Sequence, residues 1–265
     1  MSMHDVHAHL THPRMAPDVA EVIARAQAAG VTRIISNGLD PASNRSVLAL
    51  AERFSCVRAA LGIYPLDAAN DVIDAATWAF DFEPPERFNV YEELEFIASQ
   101  RDRIVAIGEV GLDGYWLPET LARQVEVLRE VCALAIRMDL PVILHSRKAE
   151  QQTFDVVREA GVRRAVFHCF SGKLKLAQEI AAAGYHLSIP PTVERGEGFQ
   201  KISEKVALTQ LLTETDSPFL SPDKGERNEP ANVVRSVLAM ARLRGVEPDA
   251  LMEQLDANYL SLFGL

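Results

Sequence analysis

The chain has 265 residues, 48% of them hydrophobic and 24% charged, with a formal net charge of −10. An acidic chain does not attract polyanions at long range, which counts against a non-specific nucleic-acid binder but not against an enzyme whose bound cations meet phosphate locally. No apolar run approaches the roughly 18 residues of a membrane span, and the opening MSMHDVHAHL lacks the regions of a signal peptide, so a cytoplasmic protein without membrane contact is expected.

The first predicted strand covers 3–6 and leads into Asp5-Val6-His7-Ala8-His9. Side chains alternate along a strand, so His7 and His9 share a face, about 7 Å apart, and can hold one metal ion. Imidazole suits zinc, manganese, iron or nickel better than calcium or magnesium. The plain alternative is a pair of histidines near a terminus. A helix over 17–29 stops at Gly30, a strand at 32–36 follows, then a helix over 41–54 and a strand at 57–61. The stretch 66–90 then breaks the rhythm. It holds Trp78, Phe80, Phe82, Phe88, several acids and Pro84-Pro85. A connection this long after a barrel strand is expected to form a rim over the active site, where Trp78 or Trp116 could stack on a base. The alternative is a packed surface excursion.

Strands at 104–107, 142–144, 165–167, 185–189 and 210–213 follow, with helices over 119–138, 173–183, 230–244 and 249–262. Short, continuously apolar strands are those of a parallel sheet covered on both faces. Eight of them alternating with helices make the expected fold class α/β: a (β/α)8 TIM barrel over residues 1–265 as one domain, with an expanded loop after strand 3. No GxGxxG or GxxxxGK[ST] motif follows any strand. Cys56, Cys132 and Cys169 form no CxxC pair and read as reduced thiols, with Cys169 packing rather than ligating.

On this barrel His7 and His9 end the first strand, Glu109 the fourth, His145 the fifth, His168 the sixth and Asp216 the eighth. Strand ends converge on one mouth, where active sites form. Alone, each residue has an ordinary reading as a solvated acid, a core histidine, a strand-end cap or a turn residue. Together they read as a metal site. Six ligands exceed the three of an open zinc site and suit two divalent ions, whether Zn, Mn, Mg, Ni or Fe. A carboxylate can bridge two ions, so Glu109 is the bridge candidate. Asp216 can bind one ion and also take a proton from a water. Ions lower the pKa of such a water, which makes hydrolysis the expected reaction class.

The segments DVHAHL, GIYPLD, AIGEVGLD, PVILHSR, FHCFSG, ETDSPFLSP, NEPANV and NYLSLF occur in this order. With them the chain resembles the TatD family of metal-dependent deoxyribonucleases, within the amidohydrolase superfamily. The resemblance implies a (β/α)8 barrel in which His7, His9, Glu109 and Asp216 hold one ion and Glu109, His145 and His168 the other. It gives Asp216 and Glu109 catalytic roles, with Asp216 the proton acceptor, and places Arg147 near substrate phosphate, against the plain alternative of a structural salt bridge. Three departures lie at the substrate end. Tyr64 stands where the family often has histidine, Gly114-Tyr115 where an aromatic pair is usual, and the connection after Pro65 is expanded. Tyr64 and Arg147 are the expected substrate contacts. The expected activity is cleavage of DNA phosphodiester bonds, from an end, by a monomer or small homo-oligomer. The alternative is an amide, ester or lactone hydrolase of small molecules using the same centre. A non-catalytic scaffold would be expected to have lost ligands, and all six are present.

Overall fold

The short apolar runs pair in parallel and in chain order. The computed structural model describes residues 2–264. Its strands are β1 (Met3–Ala8), β2 (Val31–Asn37), β3 (Val57–Leu61), β4 (Ala106–Gly111), β5 (Val142–His145), β6 (Ala165–Phe167), β7 (His186–Ile189) and β8 (Leu211–Thr213), in the order β1-β2-β3-β4-β5-β6-β7-β8. Just past β8 a parallel bridge joins Ala8 to Ser217. There His9 N–H donates to the Ser217 carbonyl at 2.7 Å and Asp216 N–H to the His7 carbonyl at 2.8 Å. The sheet so closes into a (β/α)8 barrel.

The helices are α1 (Val19–Ala28), α2 (Pro41–Arg53), α3 (Pro65–Ala68), α4 (Val90–Ser99), α5 (Leu121–Met138), α6 (Glu150–Glu159), α7 (Leu174–Ala182), α8 (Glu197–Lys205), α9 (Val233–Arg244) and α10 (Pro248–Phe263). The start of α2 illustrates how local chemistry sets a boundary. Asp40 accepts from Ser43 N–H at 2.8 Å, Ser43 Oγ accepts from Asp40 N–H at 3.0 Å, and Pro41 pre-sets the first turn. No helix among the described residues is long and apolar enough to cross a membrane.

Two layers of core hold the barrel. The larger lies between strands and helices. The inner one takes Val6, Ile35, Ala60, Ala106, Ile143, Val166 and Leu212 from seven strands and seals them with Tyr259, Leu262 and Phe263 of α10. That helix plugs one end of the barrel, so the polar side chains gather at the other. The register of β1 against β2 shifts between Asp5 and Ala8. This breaks strict alternation, and both Val6 and the two histidines reach the interior.

The bounds of β3 and β6 match those expected from sequence. β4 does not: it begins two residues later and runs on to Gly111. The glycines of Gly108-Glu109-Val110-Gly111 look like a strand end, but here they serve close strand packing. Gly111 has φ +141°, and a Cβ there would lie 2.0 Å from the His145 carbonyl oxygen. A Cβ on Gly62 would lie 2.3 Å from the Glu109 carbonyl oxygen. Glu109 therefore sits inside β4 rather than at its tip. α4, α6 and α8 occupy stretches where no helix was expected. They are short, and α8 buries only Ile202 and Ser203, too little apolar signal to stand out. The connection after β3 holds α3 and a 3-10 turn at Ala75–Thr77, then runs extended to α4, and Phe88 N–H donates to Asn70 Oδ1 at 3.2 Å to close it.

Candidate metal centre

All six expected ligand residues meet at the open end of the barrel. His145 is the last residue of β5, and His168 directly follows β6. His9 lies one residue past β1, and Asp216 lies in the turn after β8 with φ +56°. Their donor atoms fall into two groups. In one, Glu109 Oε2 lies 3.3 Å from both His7 Nε2 and His9 Nε2, and Asp216 Oδ1 lies 3.5 and 3.4 Å from the same nitrogens. His7 Nε2 and His9 Nε2 are themselves 3.1 Å apart. In the other, Glu109 Oε1 lies 2.9 Å from His145 Nδ1 and 3.0 Å from His168 Nε2.

This packing exceeds what hydrogen bonds can satisfy. Each imidazole nitrogen carries at most one proton or one lone pair, yet His7 Nε2 faces a second imidazole and two carboxylates. His7 Nδ1 and His168 Nδ1 are buried without a hydrogen-bond partner among the described residues. Converging nitrogens and carboxylate oxygens of this kind fit the shell of a borderline divalent cation. The two most exposed of the six are Asp216, at 15% side-chain exposure, and His145, at 13%.

The electrostatics agree. Burial disfavours charge on His9, but hydrogen bonds to Asp216 and Glu109 outweigh it and hold its pKa near 10. Burial also opposes charge on His168, and the Glu109 carboxylate overrides it and moves the pKa well above the usual value. His7 goes the other way: burial lowers its pKa, and charge on His168 adds to that. For Glu109, burial favours the neutral acid, but the surrounding imidazoles hold its pKa well below the ordinary carboxylate range. A cation bound among these groups would take the place of any proton on the imidazole nitrogens that face Glu109 and Asp216.

Three buried carboxylates that the sequence reading did not single out hold the ligands in place. Asp5 accepts from His7 N–H at 3.2 Å, Thr215 N–H at 2.9 Å and Thr215 Oγ at 2.5 Å, which ties β1 to the Asp216 turn. Asp113 Oδ2 lies 2.9 Å from His145 Nε2. Glu214 accepts from Cys169 N–H at 2.6 Å and Ser188 Oγ at 2.8 Å, and faces His168 Nδ1 at 3.6 Å. They lie close in sequence to the expected ligands, Asp5 two positions before His7, Glu214 two before Asp216 and Asp113 four after Glu109, but that proximity does not say which side chain each one meets. Half-buried Cys169 takes no part in either donor group.

The expected substrate contacts flank this centre. The Tyr64 hydroxyl donates to Asp113 Oδ2 at 3.2 Å, and its ring centre lies 5.0 Å from that of His145. The exposed Arg147 guanidinium stacks on Tyr115, 3.7 Å from the ring centre, and lies 5.1 Å from that of Trp116.

Comparison with known proteins gives the chain a family. The family model described as TatD related DNase matches residues 4–264. Human deoxyribonuclease TATDN3 is 32% identical over 98% of this chain and 93% of its own length. The 3'-5' ssDNA/RNA exonuclease TatD of Citrobacter koseri is 29% identical over 99% of both chains. The crystal structure of YjjV, a TatD homologue from Escherichia coli, has a TM-score of 0.86 at 30% identity, covering 99% of this chain and 98% of that one. Because one family model spans the barrel from β1 to α10, and the relatives align along nearly their whole lengths, the chain belongs to the TatD family of metal-dependent hydrolases.

Proposed function

We propose that this protein hydrolyses phosphodiester bonds of single-stranded DNA, working from an end, with two divalent ions: one held by His7, His9, Glu109 and Asp216, the other by Glu109, His145 and His168. The observation that carries this reading is the split of one carboxylate. Glu109 Oε2 serves His7 and His9, while Oε1 serves His145 and His168. That is the arrangement a bridging carboxylate requires. The nitrogen-rich donor set favours Zn, Mn, Ni or Fe over Mg. Divalent ions held there supply Lewis acidity toward a phosphoryl oxygen and acidify water, which is what hydrolysis needs. The substrate class follows from relatives that bear the names deoxyribonuclease and ssDNA/RNA exonuclease.

The chain's own residues do the rest. Asp216, the more exposed of the two ligand carboxylates, accepts the proton of the attacking water at its carboxylate. Arg147 offers a planar cation to the phosphate. Tyr64 meets the substrate beside His145, and the 66–90 connection forms the rim. A small-molecule ester or amide remains the second reading, favoured by the exposed acids Asp71, Asp74, Asp81, Glu83 and Glu86 on that rim, which repel a polyanion.

Metal-loaded protein given end-labelled single-stranded DNA is expected to shorten it stepwise, and the Glu109→Ala variant to leave it intact. Turnover of esters or amides with no phosphodiester cleavage would replace the first reading with the second.

A further inference from the structure

Aromatic side chains collect on one side of the mouth, outside the two ligand groups. Phe80 and Phe82, from the 66–90 connection, meet the Trp116 ring edge-on at centroid distances of 5.2 and 5.1 Å. Tyr115 adds another ring 4.9 Å from Trp116. Trp78 is an inner strut: its indole N–H donates to the Phe82 carbonyl, and its ring meets Phe80 and Phe82 edge-on. The outward rings are therefore Phe82 and Tyr115, 38% and 49% exposed. A contiguous exposed patch of rings marks a binding surface more often than a single exposed ring does.

This shelf is tied to the metal centre. Asp113 Oδ1 accepts the backbone N–H of Tyr115 at 2.8 Å and of Trp116 at 3.1 Å, while Oδ2 lies 2.9 Å from His145 Nε2. Tyr64 stands beside His145 and packs with Trp78 and Trp116 in the small apolar cluster under the connection. A flat group held on the shelf would lie on the Asp113–His145 side of the centre. Charge orients it as well. The Arg147 guanidinium sits on Tyr115, and the exposed acids belong to the connection that carries Phe82. Arg147 covers one face of Tyr115 and Phe80 stacks on one face of Phe82, so phosphate is drawn to the guanidinium and an uncharged base has the opposite ring faces to meet.

We infer that Phe82, Tyr115 and Trp116 form a nucleobase-stacking subsite for the nucleotide that adjoins the scissile phosphodiester. This rests on the DNA-hydrolase reading and deepens it. Every base has a π-face, so the subsite tolerates any sequence but requires a base.

The chain's two tryptophans, Trp78 and Trp116, both lie in this shelf, so tryptophan emission reports on it alone. Chelator-treated full-length protein would be titrated with a short oligothymidylate and with an abasic oligodeoxynucleotide of equal length. The expected result is saturable quenching by the thymidylate and affinity roughly 5- to 100-fold weaker for the abasic strand. Phe82→Ala should weaken thymidylate binding by a similar factor with an unchanged melting profile, and Tyr115→Ala stands in should that variant unfold. Equal binding of the two strands, or undiminished affinity in both ring variants, overturns the subsite. Loaded protein that cleaves both strands equally well also overturns it while the nuclease reading stands. Quenching by thymidylate without any phosphodiester cleavage supports base binding and overturns the nuclease reading.

Discussion

Asp113 Oδ2 lies 2.9 Å from His145 Nε2, on the far side of the ring from the 2.9 Å contact between Nδ1 and Glu109 Oε1. The carboxylate fixes the tautomer: Nε2 carries the proton and Nδ1 turns its lone pair toward the candidate centre. Removing that charge while keeping the shape should loosen the ion held through His145. The Asp113→Asn variant is expected to bind divalent ion about 10- to 100-fold more weakly, as read by competition with a chromophoric chelator. Unaltered affinity would mean that Asp113 does not orient a ligand.

Glu109 and Asp216 should separate in their effects. Glu109→Gln removes the one side chain common to both donor groups, so metal content as well as activity should drop. Asp216→Asn should retain most of the metal, yet its hydrolysis rate should fall by about 10²- to 10⁴-fold, the usual loss for a general base. Elemental analysis beside a rate assay checks both variants. Identical metal loss in the two would remove the proton-accepting role from Asp216.

How much of this was visible in the sequence depends on range. The ligands could be read because HxH, GEVG, ILHS, FHCF and TETD place metal-binding side chains at the ends of apolar runs. Those runs are nearly complete strands: β3 stops before Gly62, and β6 is an apolar triplet bracketed by Arg164 and His168. β4 was misplaced because glycine weakens a strand by local propensity, while at Gly111 only tertiary packing demands it. α4 was hidden behind the proline- and acid-rich connection, although Asn89 caps it by accepting from Tyr91 and Glu92 N–H. The supporting carboxylates were invisible for another reason. Asp5 meets Thr215, and Asp113 meets His145, only once the barrel has closed, and no local pattern encodes such pairs.

The glycine argument can be tested by stability. Gly111→Ala combines an unfavourable φ with a Cβ 2.0 Å from the His145 carbonyl oxygen, and should cost about 3–5 kcal/mol and disturb His145. Gly161 also has positive φ, +78°, but a Cβ there meets nothing within 4 Å, so Gly161→Ala should cost only about 1–2 kcal/mol. Urea midpoints give the comparison. Equal losses would show that close approach to β5 is not what requires glycine at Gly111.

At the plugged end of the barrel, burial lowers the pKa of His186, in β7, from 6.5 to about 4. The unfolded chain therefore takes up a proton between these values that the folded chain refuses. Above pH 6.5 His186 has no effect on stability. As pH falls from 6.5 toward 4 it should remove on the order of 2–3 kcal/mol. Urea melts of the parent chain and His186→Gln across this window should diverge, the variant losing less stability on acidification. Parallel curves would mean that the ring protonates as freely in the fold as outside it.

The most direct test of the two-ion centre is a crystal structure of the protein loaded with manganese or zinc, with anomalous scattering to locate the ions. Two peaks about 3.5–4 Å apart are expected, one beside His7 and His9 and the other beside His145 and His168, with a Glu109 oxygen on each. A single peak, or Glu109 bound to one ion only, would contradict the bridging role on which the proposed hydrolysis rests.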